Sequence, residues 1–258
     1  MSAQRYTHIL LTRFNLQYLQ DDTLGIQPEW LEQRCALFET YCLPSIQHQT
    51  CQDFTWILIV DERTPEPYLS HILAYQKRMA QLSVICVPFY PETEALYREI
   101  GAKYGNKDTI LISSRVDNDD RLAEDYMMQV QKLAREGKRG VLSFPEGRQT
   151  FIQDHISYRI RFVDNHFLSR IETQDFYTVL GFNHREAGRY GVQLIPTDRP
   201  MWEEIVHSSN LINDYMPIYH YYIQSWQDFA DLSKRWCRFH LNRLRRLFKR
   251  LFIAPNQR

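Results

Sequence analysis

Apolar residues along the first 145 positions follow two alternating periods. Residues 8–14 (HILLTRF), 54–60 (FTWILIV), 83–89 (SVICVPF), 109–116 (TILISSRV) and 140–144 (GVLSF) are short, nearly continuous apolar runs. Their length and β-branched content predict strands buried on both faces. Between the runs the period lengthens. Across residues 28–41, Trp30, Leu31, Arg34, Leu37, Phe38 and Tyr41 recur at helical spacing, with Pro28 suited to the first turn. Residues 66–80, 93–104 and 121–136 predict three further helices, and Gly105 and Gly137 stand where closing glycines belong.

Strand and helix alternating in this way predict βαβ units and an α/β fold: a mostly parallel, Rossmann-like sheet flanked by helices. Such sheets bind ligands outside the carboxyl ends of their strands. The side chains expected there are Arg13 and Asn15 after the first strand, Asp61 after the second, and Arg115, Asp117, Asn118, Asp119 and Asp120 at the end of the fourth. Beyond residue 148 the pattern is less regular. Phe151, Ile156, Tyr158, Ile160 and Phe162 partly alternate with polar residues, as in a half-exposed strand pair. The chain therefore divides into a ligand-binding α/β half (1–147), a second half of the same domain (148–222) and a C-terminal segment (223–258).

Three carboxylates within four residues invite a cation. At about 5 Å and an effective dielectric of ~20, each close pair repels by about 3 kcal/mol. Carboxylate oxygens suit Mg²⁺ or Mn²⁺, and Mg²⁺ commonly binds through one or two carboxylates plus substrate phosphates. The ordinary alternative is that Asp119 or Asp120 caps a helix starting near Arg121. One cap explains one carboxylate and leaves two.

Composition narrows the partners. The 258 residues carry 31 basic and 31 acidic side chains, so bulk charge gives no reason to expect nucleic acid. The five cysteines form no CxxC pair, which argues against a zinc site or disulfide framework and for a reducing cytoplasm. The run Ile9-Leu10-Leu11 is too short for a signal peptide, and no window approaches the ~20 apolar residues that span a bilayer. Arg148, Arg159 and Arg161 suit either a phosphate clamp or an ordinary surface strand. Residues 226–253 place aromatic and leucine residues at helical spacing among Lys234, Arg235, Arg238, Arg243, Arg245, Arg246, Lys249 and Arg250. This predicts a basic amphipathic helix suited to the inner face of an anionic membrane, with packing on the domain or dimerisation as alternatives.

The segment ILISSRVDNDD resembles the aspartate (DXD) motif of glycosyltransferases with the GT-A fold. HILLTRFN at 8–15, LFETYCLPSIQHQTCQDFTWILIVDERTP at 37–65, RVDNDDRLAEDYM at 115–127 and WEEIVHSSNLIND at 202–214, in that order, are similar to the bacterial putative rhamnosyltransferase family. The resemblance runs from about His8 to about Asp214. It implies a GT-A fold, a nucleotide-sugar donor, a bound Mn²⁺ or Mg²⁺, and transfer of a sugar such as rhamnose to a glycan or lipid-linked acceptor during surface polysaccharide synthesis. By position it puts Asp61 at the nucleobase or ribose and Arg13 and Asn15 near the nucleotide. Asp119 becomes the principal metal ligand, Asp117 a ligand of ribose or metal, and His207 a further metal ligand.

An inverting transfer needs a base for the acceptor hydroxyl. The resemblance puts Glu172 first for that role, and His184 is second among the polar residues of the irregular segment. Two rival readings stand beside the transferase. A nucleotidyltransferase would also use a nucleotide-binding sheet and a metal, but would usually carry a glycine-rich phosphate loop where this chain reads TRFNLQYLQDDT. A non-catalytic membrane-associated scaffold would not need the acidic cluster.

Overall fold

The structure, a computed structural model, describes residues 5–16, 23–88, 93–182, 184–207, 216–223, 230–238 and 240–241, leaving aside the side chains of 93, 94, 184, 185 and 218. Its strands are β1 (Arg5–Arg13), β2 (Thr55–Asp61), β3 (Leu82–Val87), β4 (Thr109–Arg115), β5 (Arg121–Leu122), β6 (Gly140–Ser143), β7 (Glu146–Phe151), β8 (Ile156–Arg161), β9 (Leu168–Glu172), β10 (Gln193–Leu194) and β11 (Trp202–Val206). The α-helices are α1 (Pro28–Leu37), α2 (Leu43–Gln47), α3 (Tyr68–Ala74), α4 (Thr93–Tyr104) and α5 (Tyr126–Arg135).

Seven strands form one sheet in the order β10-β6-β9-β4-β1-β2-β3. β1, β2, β3 and β4 are parallel neighbours, as the apolar runs predict. From β1 the chain first moves outward through β2 and β3, then returns to pair β4 on the other side of β1. Strand order therefore reverses between β1 and β4, the place where open α/β sheets bind ligands. β9 inserts antiparallel between β4 and β6. Because it runs the opposite way, the residues just before β9 arrive at the edge where β4 ends. A second sheet, β5-β11-β7-β8, adjoins that edge.

β1, β2 and β4 are buried on both faces, whereas β3, at the sheet edge, is only partly covered. On β1, Leu10 belongs to one core and Ile9 and Leu11 to the other; on β2, Trp56, Leu58 and Val60 separate in the same way from Ile57 and Ile59. On the first face, Phe38 lies between Phe14 (5.4 Å between ring centroids), Trp56 (5.5 Å) and Tyr75 (4.9 Å). Burying an aromatic side chain of this kind contributes roughly 2–3 kcal/mol. On the second face, Leu96, Tyr97 and Ile100 of α4 cover the sheet.

Several expectations are corrected. The helix expected over 121–136 begins at Tyr126, because Arg121 and Leu122 pair with Glu203 and Trp202 as strand β5. Neither Asp119 nor Asp120 can then be that helix's cap. The helix from Pro28 does not stop near Tyr41 but continues through a π turn, Phe38–Cys42, into α2. Gly137 closes α5 with φ 91°, as expected. Gly105 has no positive φ; it makes room, since a Cβ there would come within 2.2 Å of the Phe176 ring.

The two halves separated at 147/148 share both sheets, and the boundary falls inside β7. Of the expected C-terminal helix, 230–238 and 240–241 are described and helical; the rest of 226–253 lies outside the described residues. No described helix is long and apolar enough to cross a membrane.

Candidate active site at the end of the fourth strand

The chain leaves β4 at Arg115 and makes a tight turn, with Asp120 N–H bonded to Asp117 C=O at 3.2 Å, before entering β5. Asn118 anchors this turn to β1 by donating from Nδ2 to Phe14 C=O. Arg34 Nη1 donates to Asn118 Oδ1 at 3.1 Å and to Asp119 Oδ2. Arg34 is 6% exposed, and its guanidinium lies 4.8 Å from the Trp30 ring centroid. His207 Nε2 donates to the same Asp119 oxygen at 2.8 Å. Burial works to raise the Asp119 pKa, but His207 and Arg34 outweigh it and hold the carboxyl below its usual range.

The other two carboxylates face a different histidine. His166 Nε2 lies 2.8 Å from Asp120 Oδ2 and 3.8 Å from Asp117 Oδ2. Asp120 Oδ1 accepts the Ile205 backbone N–H at 2.8 Å. Asp120 is fully buried, and burial with Asp119 and Asp117 beside it pushes its carboxyl well above the usual range. Asp117 shows the reverse. Burial acts to raise it, yet Arg115 at 2.9 Å, with His166 and Arg13, holds it well below the usual range. Burial pushes the His166 pKa down, although the surrounding carboxylates pull it upward.

Ligand atoms of Asp117, Asp120 and His166 all lie within 4.8 Å of one another. Two carboxylate oxygens and an imidazole nitrogen form a donor set suited to Mn²⁺. The raised Asp120 carboxyl is what uncompensated negative charge in a buried place produces, and a dication would relieve it. The residues present therefore fit a divalent ion. The metal ligands expected from the sequence fall into two clusters: Asp117 with Asp120 and His166, and Asp119 with His207 and Arg34.

The remaining candidates are spread around this turn. Asn15 is 2% exposed and has its amide satisfied: Nδ2 donates to Gly25 C=O (3.0 Å) and Thr64 Oγ1 (2.8 Å), and Oδ1 accepts the Asp61 N–H (3.0 Å). It ties the ends of β1 and β2 together. The Asp61 carboxylate accepts from Arg63 Nη2 at 2.8 Å and from the Arg63 backbone N–H at 2.9 Å, and the Arg63 side chain is 35% exposed.

Glu172 is not at this edge. It pairs in register with Leu111, near the start of β4. At about 3.3 Å per strand residue, the four positions from Leu111 to Arg115, where β4 ends, span about 13 Å. Its carboxylate accepts the Tyr177 and Thr178 N–H groups at 2.8 and 3.0 Å and pairs with Arg170 at 3.0 Å. Glu172, expected as the acceptor base, thus lies toward the start of β4, where its carboxylate anchors the loop after β9. The backbone of His184 begins a 3₁₀ turn, and its side chain lies outside the described residues.

Three neighbours of the turn were not among the sequence candidates. His166 is brought in by the antiparallel entry of β9, which hydrophobic periodicity does not encode. Arg34 had a signal, a charged residue on the apolar side of α1. Glu204 had only its alternation along β11. It is 4% exposed and accepts from Gln149 Nε2 at 2.7 Å, and burial raises its pKa to about 7.

A family model described as "Putative rhamnosyl transferase" matches residues 8–217. No curated protein sequence matches the chain. Among solved structures, S. aureus TarS 1-349 in complex with UDP is 11% identical with a TM-score of 0.45, over 78% of this chain and 60% of that one. TarS 1-349 in complex with UDP-GlcNAc is 10% identical, TM-score 0.45, over 80% and 60%. A structure titled Putative Glucose-1-Phosphate Thymidylyltransferase from Bacillus anthracis is 10% identical, TM-score 0.32, over 56% and 55%. The chain spans about 60% of the length of these TarS chains.

Proposed function

The chain belongs to the Putative rhamnosyl transferase family, and on that premise we propose that it is a metal-dependent GT-A-type glycosyltransferase acting on a nucleotide-diphosphate sugar. The sugar, rhamnose in the family's description, passes to a glycan or lipid-linked acceptor. The observation that carries this reading is the convergence of Asp117, Asp120 and His166 ligand atoms within 4.8 Å at the strand-order reversal.

In this reading Asp117, Asp120 and His166 hold a Mn²⁺ or Mg²⁺ ion. Such an ion neutralises charge developing on the departing nucleoside diphosphate. The chain's own residues prepare the place. Arg34 and His207 fix the Asp119 carboxylate, and Asn118 pins the turn to β1. Arg115 and Arg13 keep Asp117 ionised, and therefore a competent ligand, across the physiological range. Arg13 and the Asp61–Arg63 pair flank the end of β1 and β2, where a nucleotide would lie. The basic segment after residue 226 would bring a lipid-linked acceptor to this edge by attraction to anionic headgroups.

The test is a panel of nucleotide sugars with Mn²⁺ and EDTA, read by product. Release of a nucleoside diphosphate that stops with EDTA and falls at least about a hundredfold in Asp120→Asn supports the proposal. Release of pyrophosphate would mean nucleotidyl transfer. Undiminished turnover in EDTA would remove the metal from the scheme.

A further inference from the structure

We propose that the face of β11 turned away from the acidic cluster carries a second binding site, for a phosphate monoester with a sugar-sized body. A cavity of about 570 Å³ opens there, lined by α2 from Pro44 to His48, by the segment from Arg121 to Glu124, by Arg148 of β7, and by Arg199 to Glu203. This size is in the range that small-molecule ligands fill and far exceeds what one phosphate needs.

Strand alternation separates this cavity from the acidic cluster. Arg121, Arg148 and Glu203 share one register position across β5, β7 and β11, and all three line the cavity. Their next neighbours, Gln149 and Glu204, are hydrogen-bonded to each other, and Glu204 feels the charges of His166 and Asp120 instead. Asp120 is wholly buried, whereas the Arg121 side chain beside it is 46% exposed. The strand wall thus separates the acidic cluster from the cavity that Arg121, Arg148 and Glu203 line.

The charge and shape of the lining name the ligand class. Three guanidinium groups, Arg121, Arg148 and Arg199, converge on the cavity with the carboxylates of Glu124 and Glu203. Arg121 is paired with Glu203 at 3.1 Å and Arg199 with Asp125. Arg148 has no carboxylate partner among the described residues and touches only Ser157 Oγ, at 3.4 Å. It is the cation left to take an external anion, and a guanidinium holds phosphate bidentately. His48 also lines the cavity, with its Nδ1–H donated to Pro44 C=O at 2.7 Å. Pro44 and Pro200 supply apolar surface for the body of the ester, and the two lining carboxylates can accept from sugar hydroxyls.

The experiment is calorimetry on the full chain at low ionic strength without divalent metal, using glucose 1-phosphate, inorganic phosphate, glucose, and monomeric short-chain phosphatidic acid. Glucose 1-phosphate is expected to bind the wild type and to bind at least tenfold more weakly in Arg148→Glu. Arg148→Gln, which adds no like charge beside Glu203, should weaken it in the same direction by a smaller factor. Binding must persist in Asp120→Asn, which separates this site from the proposed metal site and makes its failure independent of the transferase reading. Arg148-dependent binding of phosphatidic acid in preference to glucose 1-phosphate would keep the phosphate site but refute the sugar-sized body. Equal affinity in wild type and Arg148→Glu, binding of glucose alone, or loss of binding in Asp120→Asn would overturn the proposal.

Discussion

Asp120 and His8 are both buried titratable groups, yet they face opposite charge problems. Asp120 sits among other carboxylates, and its raised carboxyl marks charge that a cation can neutralise. Asp120→Asn and His166→Ala should each weaken Mn²⁺ binding by about tenfold or more, measured by calorimetry or by the paramagnetic signal of free Mn²⁺. Asp119→Asn should act chiefly on stability. It breaks the buried Arg34–Asp119 ion pair, which costs about 3–5 kcal/mol in chemical denaturation. Among the described residues, His8 has no carboxylate partner to protect its charged form. Its Nε2–H donates to Ser114 Oγ at 3.0 Å and its Nδ1 accepts from Gln131 at 3.3 Å, so the ring is held neutral, and burial lowers its pKa to about 3. The unfolded chain, with a histidine pKa of about 6.5, binds a proton that the folded chain refuses. Stability therefore falls as pH drops from about 6.5 toward 3. His8 alone should remove about 2 kcal/mol between pH 7 and pH 5. Urea unfolding at the two pH values should show that loss in the wild type and a smaller one in His8→Gln.

At the scale of elements, α4 and the loop after β9 fit each other through glycine. A Cβ on Gly101 would lie 1.7 Å from the Phe176 carbonyl oxygen, and one on Gly105 would enter the Phe176 ring. Alanine at either position overpacks this contact and should cost about 1–3 kcal/mol, seen as a lower denaturation midpoint with an unchanged m-value. Gly137→Ala should cost about 1 kcal/mol for a different reason, its positive φ at the end of α5, where nothing crowds the added methyl. The same loop explains Glu172, whose carboxylate receives two of the loop's backbone N–H groups. Glu172→Gln should therefore lower stability by about 1–2 kcal/mol while leaving kcat within about twofold. A collapse of kcat with stability intact would return Glu172 to the role of base.

Across the whole molecule, the site joins segments far apart in the chain: Arg34 from α1, the turn after β4, His166 before β9, and Ile205 and His207 at the end of β11. Ligands gathered this way exist together only in the folded state, so binding stabilises the molecule as a whole. Mn²⁺ at a hundred times its dissociation constant should add about 2.7 kcal/mol to unfolding, read as an upward thermal shift that disappears in Asp120→Asn. Both sheets mix residues from before and after position 147, so neither half holds a complete site.

The parallel strands, the helices between them and the acidic turn were legible in the residues themselves. Periods of burial and clusters of like charge are local properties, and a continuous apolar run such as FTWILIV has few other ways to be buried. The partners of each carboxylate were not legible. Whether Asp119 meets Arg34 or a metal, and whether His166 or His207 stands beside Asp120, depends on β9 entering antiparallel and β11 returning beside β5 and β7. Those pairings join residues separated by dozens of positions, and no local pattern records them. Arg121 and Leu122 make the same point on a small scale. Their neighbourhood reads as the start of a helix, but hydrogen bonding to β11 draws them into a strand, because an edge strand of a second sheet leaves backbone groups that must be paired.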